Sequence, residues 1–300
     1  MTIKVYMSTA GRPLDPGEAT ISVFDRGFLY GDSVYETLRT AGGHFVEMGR
    51  HLSRLRRSAA GIGLDIDFSD EAIAAATRDT CEATGNRDCY VRIIVTRGLS
   101  ELTLDPRHAG EPLLVIIAKE LKLLAPALYE RGLSVRIVDV RKISRRSLDP
   151  TLKTGNYLNS IQALRQATAN EAEDAIMLSM DGAVAEGATS NVFMVKDGQI
   201  STPSLQTGLL SGITRALICE LAAADGHPVT EATIWPDELR AADEIFLTSS
   251  VRGPIAVTTI DGAAVGDGAV GPLTRRLSDL YRTYLERVSR GEDPVNSGAS

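Results

Sequence analysis

Of the five Asp-Gly dipeptides in the second half of the chain, three, at 181–182, 197–198 and 261–262, lie beside extended apolar runs. An Asp-Gly loop accepts positive φ, and its twist matches that of two antiparallel strands, so each one predicts a hairpin. The runs concerned are 176–180 with 183–185, 192–195 with 199–200, and the strands 244–248 and 255–260. A further strand is expected at 133–140, with helices near 156–170, 214–224 and 273–288. The first half reads differently. A short strand at 2–8 is turned by Gly11-Arg12-Pro13, an extended stretch follows at 19–24, and a Gly42-Gly43 turn joins 34–40 to 44–48. Helical periodicity then takes over at 50–60, where Leu52, Leu55 and Ala59 share a face and four arginines cover the rest. Ser69 is positioned to cap a helix reaching about 83, with Asp70 and Glu71 in its first turn. Strands at 89–96 and 112–119 complete this half.

The mixed order predicts an α+β (mixed α/β) fold. At roughly 150 residues per domain, 300 residues predict two domains. The expected division is a small domain at 1–120, a linker at 121–131, a larger domain at 132–290, and a frayed tail at 291–300.

Composition removes several classes of function. Hydrophobic residues make up 43% and charged residues 24%, the balance of a globular chain. With 32 basic against 39 acidic residues, a net charge of −7 makes nucleic acid a poor partner. Three cysteines at wide, odd spacings and four scattered histidines give no metal-ligand spacing, so no metal is expected. No apolar stretch resembles a signal peptide or a membrane span; the longest runs only from Leu113 to Ala118. A cytoplasmic location, with free thiols and no membrane partner, is the expectation.

Four motifs bear on chemistry. Gly266-Asp-Gly-Ala-Val-Gly271 matches a dinucleotide fingerprint in letters, but turn chemistry is the expectation, because no second strand is expected after the helix that follows it. Gly208-Leu-Leu-Ser-Gly-Ile-Thr214 runs into a helix and has the parts of an anion site, although Ser211 or Thr214 could equally cap that helix. Lys153-Thr-Gly-Asn-Tyr157 places a lysine between a Pro150 turn and a helix, in a chain with only six lysines. Ala185-Glu186-Gly-Ala-Thr-Ser-Asn191 sets a carboxylate among small residues between strands. An amine, an acid, an anion site and an upstream arginine are together what pyridoxal 5'-phosphate requires.

The chain resembles the fold-type IV pyridoxal-phosphate enzymes, the class IV aminotransferases, and within them the branched-chain amino acid aminotransferases. The resemblance spans about 3 to 286. It is carried by Phe24-Asp-Arg-Gly-Phe-Leu-Tyr-Gly-Asp-Ser-Val-Tyr-Glu36, His51-Leu-Ser-Arg-Leu55, Leu148-Asp-Pro-Thr-Leu-Lys-Thr-Gly-Asn-Tyr-Leu-Asn159, Glu186-Gly-Ala-Thr-Ser-Asn-Val-Phe193, Gly212-Ile-Thr-Arg215 and Leu247-Thr-Ser-Ser250. It implies a small α+β domain and a larger β-barrel-like domain, in a homodimer whose sites are walled partly by the other subunit. It also implies Lys153 as Schiff-base lysine and general base, Glu186 at the pyridine nitrogen and Tyr157 at the phenolic oxygen. Arg54, Ile213, Thr214 and Thr248 or Ser249 would hold the phosphate. Tyr30, Tyr35, Tyr90, Arg92 and Ser250 would meet the substrate.

The implied reaction moves an amino group from a branched-chain-like amino acid to a 2-oxo acid such as 2-oxoglutarate. Alternatives are a D-amino acid or (R)-amine transaminase of the same fold, or an aminodeoxychorismate-type lyase. Arg107-His108 lie later, and closer together, than the Arg-x-His of D-amino acid aminotransferases, whereas Arg97-Gly98 and the stretch to Arg107 resemble prokaryotic branched-chain enzymes. Ser249-Ser250 stand where two alanines are usual, and with Arg252 they predict a more polar substrate pocket.

Overall fold

The computed structural model describes residues 2–292, which form two compact units. Most of the expected tail, 293–300, lies outside the described residues.

The first unit comprises the chain to Lys122, the short segment Leu152–Asn156, and the chain from Leu285. Its elements are β1 (Ile3–Met7), β2 (Arg12–Leu14), α1 (Arg26–Tyr30), β3 (Ser33–Ala41), β4 (His44–Phe45), α2 (Met48–Gly61), α3 (Asp70–Thr84), β5 (Cys89–Thr96) and β6 (Leu113–Glu120). The strands form an antiparallel sheet in the order β2-β1-β6-β5-β3-β4. Strand side chains alternate between faces. Val34 and Leu38 point to the face covered by α2 and α3, where Leu52, Leu55, Ile73, Val91, Ile93 and Ile116 are buried with them. Glu36 lies between them on that same inward face. Tyr35, Thr37 and Arg39 take the opposite face, beside Ile94, Arg92 and Tyr90 of β5.

Ser69 caps α3 through a bond to the Ala72 amide, as its position predicts. The extended stretch expected at 19–24 is not a strand. Asp25 turns the chain there, accepting from the Gly27 amide at 2.8 Å and from Thr96 Oγ1 at 2.7 Å, and so starts α1. Ile21, Val23 and Phe24 are left exposed.

The second unit holds Leu123–Thr151 and Tyr157–Tyr284. It contains α4 (Pro126–Arg131), β7 (Leu133–Arg141), α5 (Leu158–Thr168), β8 (Asp174–Leu178), β9 (Val184–Gly187), β10 (Asn191–Lys196), β11 (Gln199–Pro203), α6 (Ile213–Ala224), β12 (Val229–Ala232), α7 (Pro236–Arg240), β13 (Glu244–Ser249), β14 (Gly253–Ile260), β15 (Ala263–Ala264) and α8, which starts at Pro272 and runs on into the first unit. The sheet order is β12-β11-β10-β13-β14-β7-β8-β9, with β15 beside β14. The Val184 amide of β9 donates to the Ile234 carbonyl just beyond β12 at 2.8 Å, so the sheet curls until its two ends meet.

All three Asp-Gly sites turn between antiparallel strands, and at two of them, 197–198 and 261–262, both residues have positive φ. The third joins β14 to the short β15; β13 and β14 are joined earlier, across residues 250–252. Three neighbouring pairs are parallel: β7 with β8, β7 with β14, and β11 with β12. The first and last of these pairs are linked by a crossover helix, α5 and α6 respectively, as parallel pairing requires. Helix α5 starts at Leu158 rather than near Asn156. The preceding segment is committed to β3: the Tyr35 amide donates to the Lys153 carbonyl and the Gly155 amide to that of Ser33.

Candidate active site

In the first unit, Lys153 is fixed by its backbone before its side chain is considered. Its carbonyl accepts from Tyr35, its amide donates to Ser58 Oγ of α2 at 3.0 Å, and Thr154 bridges to Val34. Gly155 allows this approach, because a Cβ there would lie 2.4 Å from Ser33 Oγ. The amine then meets Tyr35, with Nζ 3.3 Å from the phenol oxygen and 4.4 Å from the ring centre. The Arg92 guanidinium lies 4.1 Å from the centre of that same ring. Two cations on one aromatic ring satisfy its quadrupole but not each other, which favours an anion beside them. Arg92 Nε is buried and has no hydrogen-bond partner.

The structure thus brings together Lys153, Tyr35 and Arg92. Tyr90 shares their sheet face and stacks with Lys119 at 4.9 Å. Tyr30 stacks with Arg26 at 5.2 Å and ends α1 one residue before Gly31, which packs on Asn156.

Arg54 projects from α2 toward the inward face of β3. Its Nε and Nη2 donate to the two oxygens of Glu36, each at 2.7 Å, and His51 Nδ1 is 2.7 Å from Glu36 Oε2. All three side chains are buried. Burial pushes the Glu36 carboxyl up, but hydrogen bonds from Arg54 and His51, with the charge of Arg54, outweigh it and hold the group at about 2. Burial also pushes the His51 imidazole below its ordinary value, against the opposing pull of Glu36. His51 is therefore neutral and donates through Nδ1.

In the second unit, Glu186 sits on β9 with three donors on its carboxylate. Lys142, just past β7, pairs with Oε1; Oε2 accepts from the Leu210 amide at 2.9 Å and lies 3.4 Å from Asn191 Nδ2. Leu210 belongs to the glycine-rich stretch that leads into α6. Gly212 is the N-cap of that helix, and as a glycine it has no side chain with which to cap it. A Cβ at Gly212 would lie 1.9 Å from Asn191 Oδ1, so only glycine lets this helix start against β10. Asn191 pairs across the sheet with Thr248, whose Oγ1 is buried without a partner. A helix start with glycine at its N-cap, amides of Ile213 and Thr214 in its first turn and an unpaired hydroxyl on the strand beside it is chemically suited to a phosphate. Ser249 Oγ faces Arg252 Nε at 3.4 Å, and Ser250 follows in the turn before β14. Tyr157, half-buried, sits at the N-cap of α5.

The expectation that Arg252 adds a polar group for substrate is altered: its Nη2 is held by the buried Asp174 at 3.0 Å, which neutralises it. Arg97 is likewise internal, donating to Asp32 and to the carbonyls of Ile62 and Gly63, and Arg107 folds onto its neighbour Asp105. Sequence reasoning gave no role to Glu36, His51 or Lys142. For Glu36 a signal existed, since a carboxylate at an inward strand position needs a buried cation.

A family model for class IV aminotransferases matches residues 33–260. The chain is 35% identical over 280 residues to a putative branched-chain-amino-acid aminotransferase of Methanocaldococcus jannaschii, covering 93% of this chain and 96% of that one. It is 32% identical over 276 residues to the D-alanine aminotransferase of Bacillus licheniformis, covering 92% and 95%. Among solved structures, the T.th. branched-chain amino acid aminotransferase complexed with N-(5'-phosphopyridoxyl)-L-glutamate superposes with a TM-score of 0.89, at 28% identity and with 99% and 97% coverage. The chain belongs to the class IV aminotransferase family. It has the fold-type IV architecture and is a pyridoxal-phosphate-dependent aminotransferase.

Proposed function

We propose that the protein transfers the amino group of a branched-chain-type amino acid to 2-oxoglutarate, working as a cytoplasmic homodimer. The observation that carries the substrate reading is Arg92. Its buried Nε–H lacks an acceptor, and its guanidinium lies on the same tyrosine as the Lys153 amine. A substrate carboxylate supplies that acceptor, while the aromatic surface of Tyr35 suits an aliphatic side chain. Tyr90 on the same face, Tyr30 and Ser250 complete the substrate contacts. The T.th. relative with its phosphopyridoxyl-glutamate adduct supports 2-oxoglutarate as acceptor.

The residues present fit the cofactor, a reading supported by the unpaired Thr248 hydroxyl beside a helix start whose N-cap is glycine. Lys153 would hold its aldehyde, Glu186 its ring nitrogen and Tyr157 its phenolic oxygen. Arg54, Ile213, Thr214, Thr248 and Ser249 would hold its phosphate. Once bound, the group supplies an electron sink for the substrate carbon. The chain's own part is to move a proton with the Lys153 amine and to fix the substrate carboxylate at Arg92. Glu186 keeps its carboxylate aimed through Lys142, Asn191 and Leu210.

Support for a dimer comes from Ile21, Val23, Phe24, Phe28, Leu99, Leu102 and Leu104, all 43% exposed or more. They sit on the stretch 21–28, which runs into α1, and on the loop 99–104, stitched together by the Asp25–Leu99 bridge and by Arg26 bonds to the Thr103 and Leu104 carbonyls. A cavity of about 670 Å³ adjoins them, lined by Met7, Ile21, Phe68, Leu99 and Leu113 and not by Lys153. Apolar surface on this scale suits burial against a second copy. Among the described residues no helix is long and apolar enough to cross a membrane.

The test is a panel of L-amino acids, D-amino acids and (R)-amines, each followed by half-reaction spectra, with 2-oxoglutarate as acceptor. L-leucine, L-isoleucine and L-valine are expected to react fastest. Preference for D-alanine would overturn the donor reading, and pyruvate release without any acceptor would point to the lyase. Borohydride reduction of the yellow protein followed by peptide mapping is expected to label Lys153.

A further inference from the structure

The three bonds that meet at Glu36 do not hold sheet to helix through apolar contact, as their neighbours Val34, Leu38 and Leu55 do. They fix one guanidinium. Arg54 leaves α2 on a long side chain with several rotatable bonds, and fixing such a chain costs entropy at the moment of binding unless the fold has already done so. Here both oxygens of Glu36 take the Nε and Nη2 edge of the guanidinium in a fork at 2.7 Å, the planar arrangement that sets direction as well as distance. The Glu36 carboxylate is itself held by His51 Nδ1–H at 2.7 Å, one helical turn before Arg54.

Charge argues the same way. A buried Arg–Glu pair gains little net stability over apolar packing, so its presence in an apolar core calls for another reason. A neutral His51 adds orientation without adding a second buried cation. The geometry points to Glu36 and His51 as positioning residues that preset the Arg54 guanidinium for the phosphate of pyridoxal phosphate. The inference rests on the reading of Arg54 as a phosphate ligand. Neither residue touches the cofactor in this scheme; Glu36 acts through Arg54, and His51 through Glu36.

The test compares binding of pyridoxal phosphate and of pyridoxal, which lacks the phosphate, to the full chain stripped of cofactor. The ratio of the two dissociation constants isolates the phosphate contribution from folding and from the aldehyde bond. In Glu36→Gln the ratio is expected to fall by about tenfold or more, the equivalent of one charge-assisted hydrogen bond, with pyridoxal affinity little changed. His51→Leu should lower the ratio severalfold, and His51→Asn, whose amide nitrogen replaces Nδ1, should restore most of it. If Glu36→Gln does not fold, the two His51 variants decide.

A folded Glu36→Gln with an unchanged ratio, equal losses for both ligands, or no difference between the His51 variants would overturn the inference. Arg54→Lys separates the two readings. A ratio unaffected by that change refutes the phosphate role of Arg54 itself. A ratio that collapses in Arg54→Lys but survives in Glu36→Gln refutes only the positioning role.

Discussion

Replacing Glu36 by glutamine separates the electrostatic part of the first unit's stability from its packing. In the folded chain the Glu36 carboxyl titrates at about 2, against 4.5 ordinarily. A carboxylate whose value is depressed by folding adds stability that is fully present above 4.5 and lost as the pH falls through the folded value. The gap between 4.5 and about 2 corresponds to about 3 kcal/mol. At neutral pH glutamine keeps the shape but strands the Arg54 guanidinium in a site only 4% exposed, a loss of about 3–5 kcal/mol. Below about 4.5 the wild type gives up its advantage as acid protonates Glu36 in the unfolded chain, whereas the variant has no carboxylate there to protonate. Urea unfolding at pH 7, 5, 4 and 3 should therefore show two stability curves several kcal/mol apart at pH 7 that converge toward pH 3. Carboxylates common to both proteins, such as Asp32 between Arg26 and Arg97, cancel in the difference. Curves that stay parallel down to pH 3 would refute the reasoning, because the loss would then be one of shape alone.

Thr248→Val removes a buried hydroxyl that has no partner, so it should leave the melting temperature of the cofactor-stripped protein unchanged or higher, yet weaken pyridoxal phosphate binding by about tenfold; calorimetry and titration read the two effects. Lys142→Met leaves the Glu186 carboxylate, 6% exposed, with only the Leu210 amide and Asn191 as donors. Urea unfolding at neutral pH should show a loss of about 3 kcal/mol, and no loss would show that the pair contributes nothing. Gly212→Ala should fold less stably and bind pyridoxal phosphate more weakly, since its Cβ drives Asn191 away from Thr248.

The fold was legible where local chemistry decides it. Asp197-Gly198 and Asp261-Gly262 need positive φ, and both turn between strands as their composition dictates. Ser69 caps α3 because its hydroxyl reaches the third amide along. The parallel pairs were not legible, because the partner of β7 is set by where the crossover helix α5 returns the chain, and no local pattern encodes that. The stretch at 19–24 shows the converse: Ile21, Val23 and Phe24 have strand character, but Asp25 finds Gly27 and Thr96 and ends the run before a ladder forms.

At the site, Lys153 and Glu186 stood out as an isolated lysine and an isolated carboxylate among small residues. Lys142 did not, since it reaches Glu186 from forty-four positions earlier in a loop crowded with arginines. Glu36 was legible in principle through its place between Val34 and Leu38. Recognising it requires treating the helix with four arginines as a source of one inward cation rather than as a solvated face.

The two glycine-led helix starts show why a motif acquires meaning only with its surroundings. Both α6 and α8 follow runs containing two or more glycines, and both present first-turn amides without a partner inside the helix and a positive dipole end. At α8 the demand is met from inside. Glu244 of β13 lies against Gly271, and its carboxylate accepts from the Leu273 amide at 3.1 Å and from Thr274 at 2.7 Å. An anion already belongs to that helix, so a phosphate arriving there would meet a fixed negative charge. At α6 no carboxylate among the described residues plays this part. Glu186 stops one turn short, spending an oxygen on the Leu210 amide, and the N-cap residue Gly212 has no side chain to offer. Strand β13 thus supplies Glu244 at its first residue to close one helix start, and Thr248 near its last, with a hydroxyl that has nothing to bond, beside the other. The same sheet strand excludes an anion from one start and leaves a donor for it at the other.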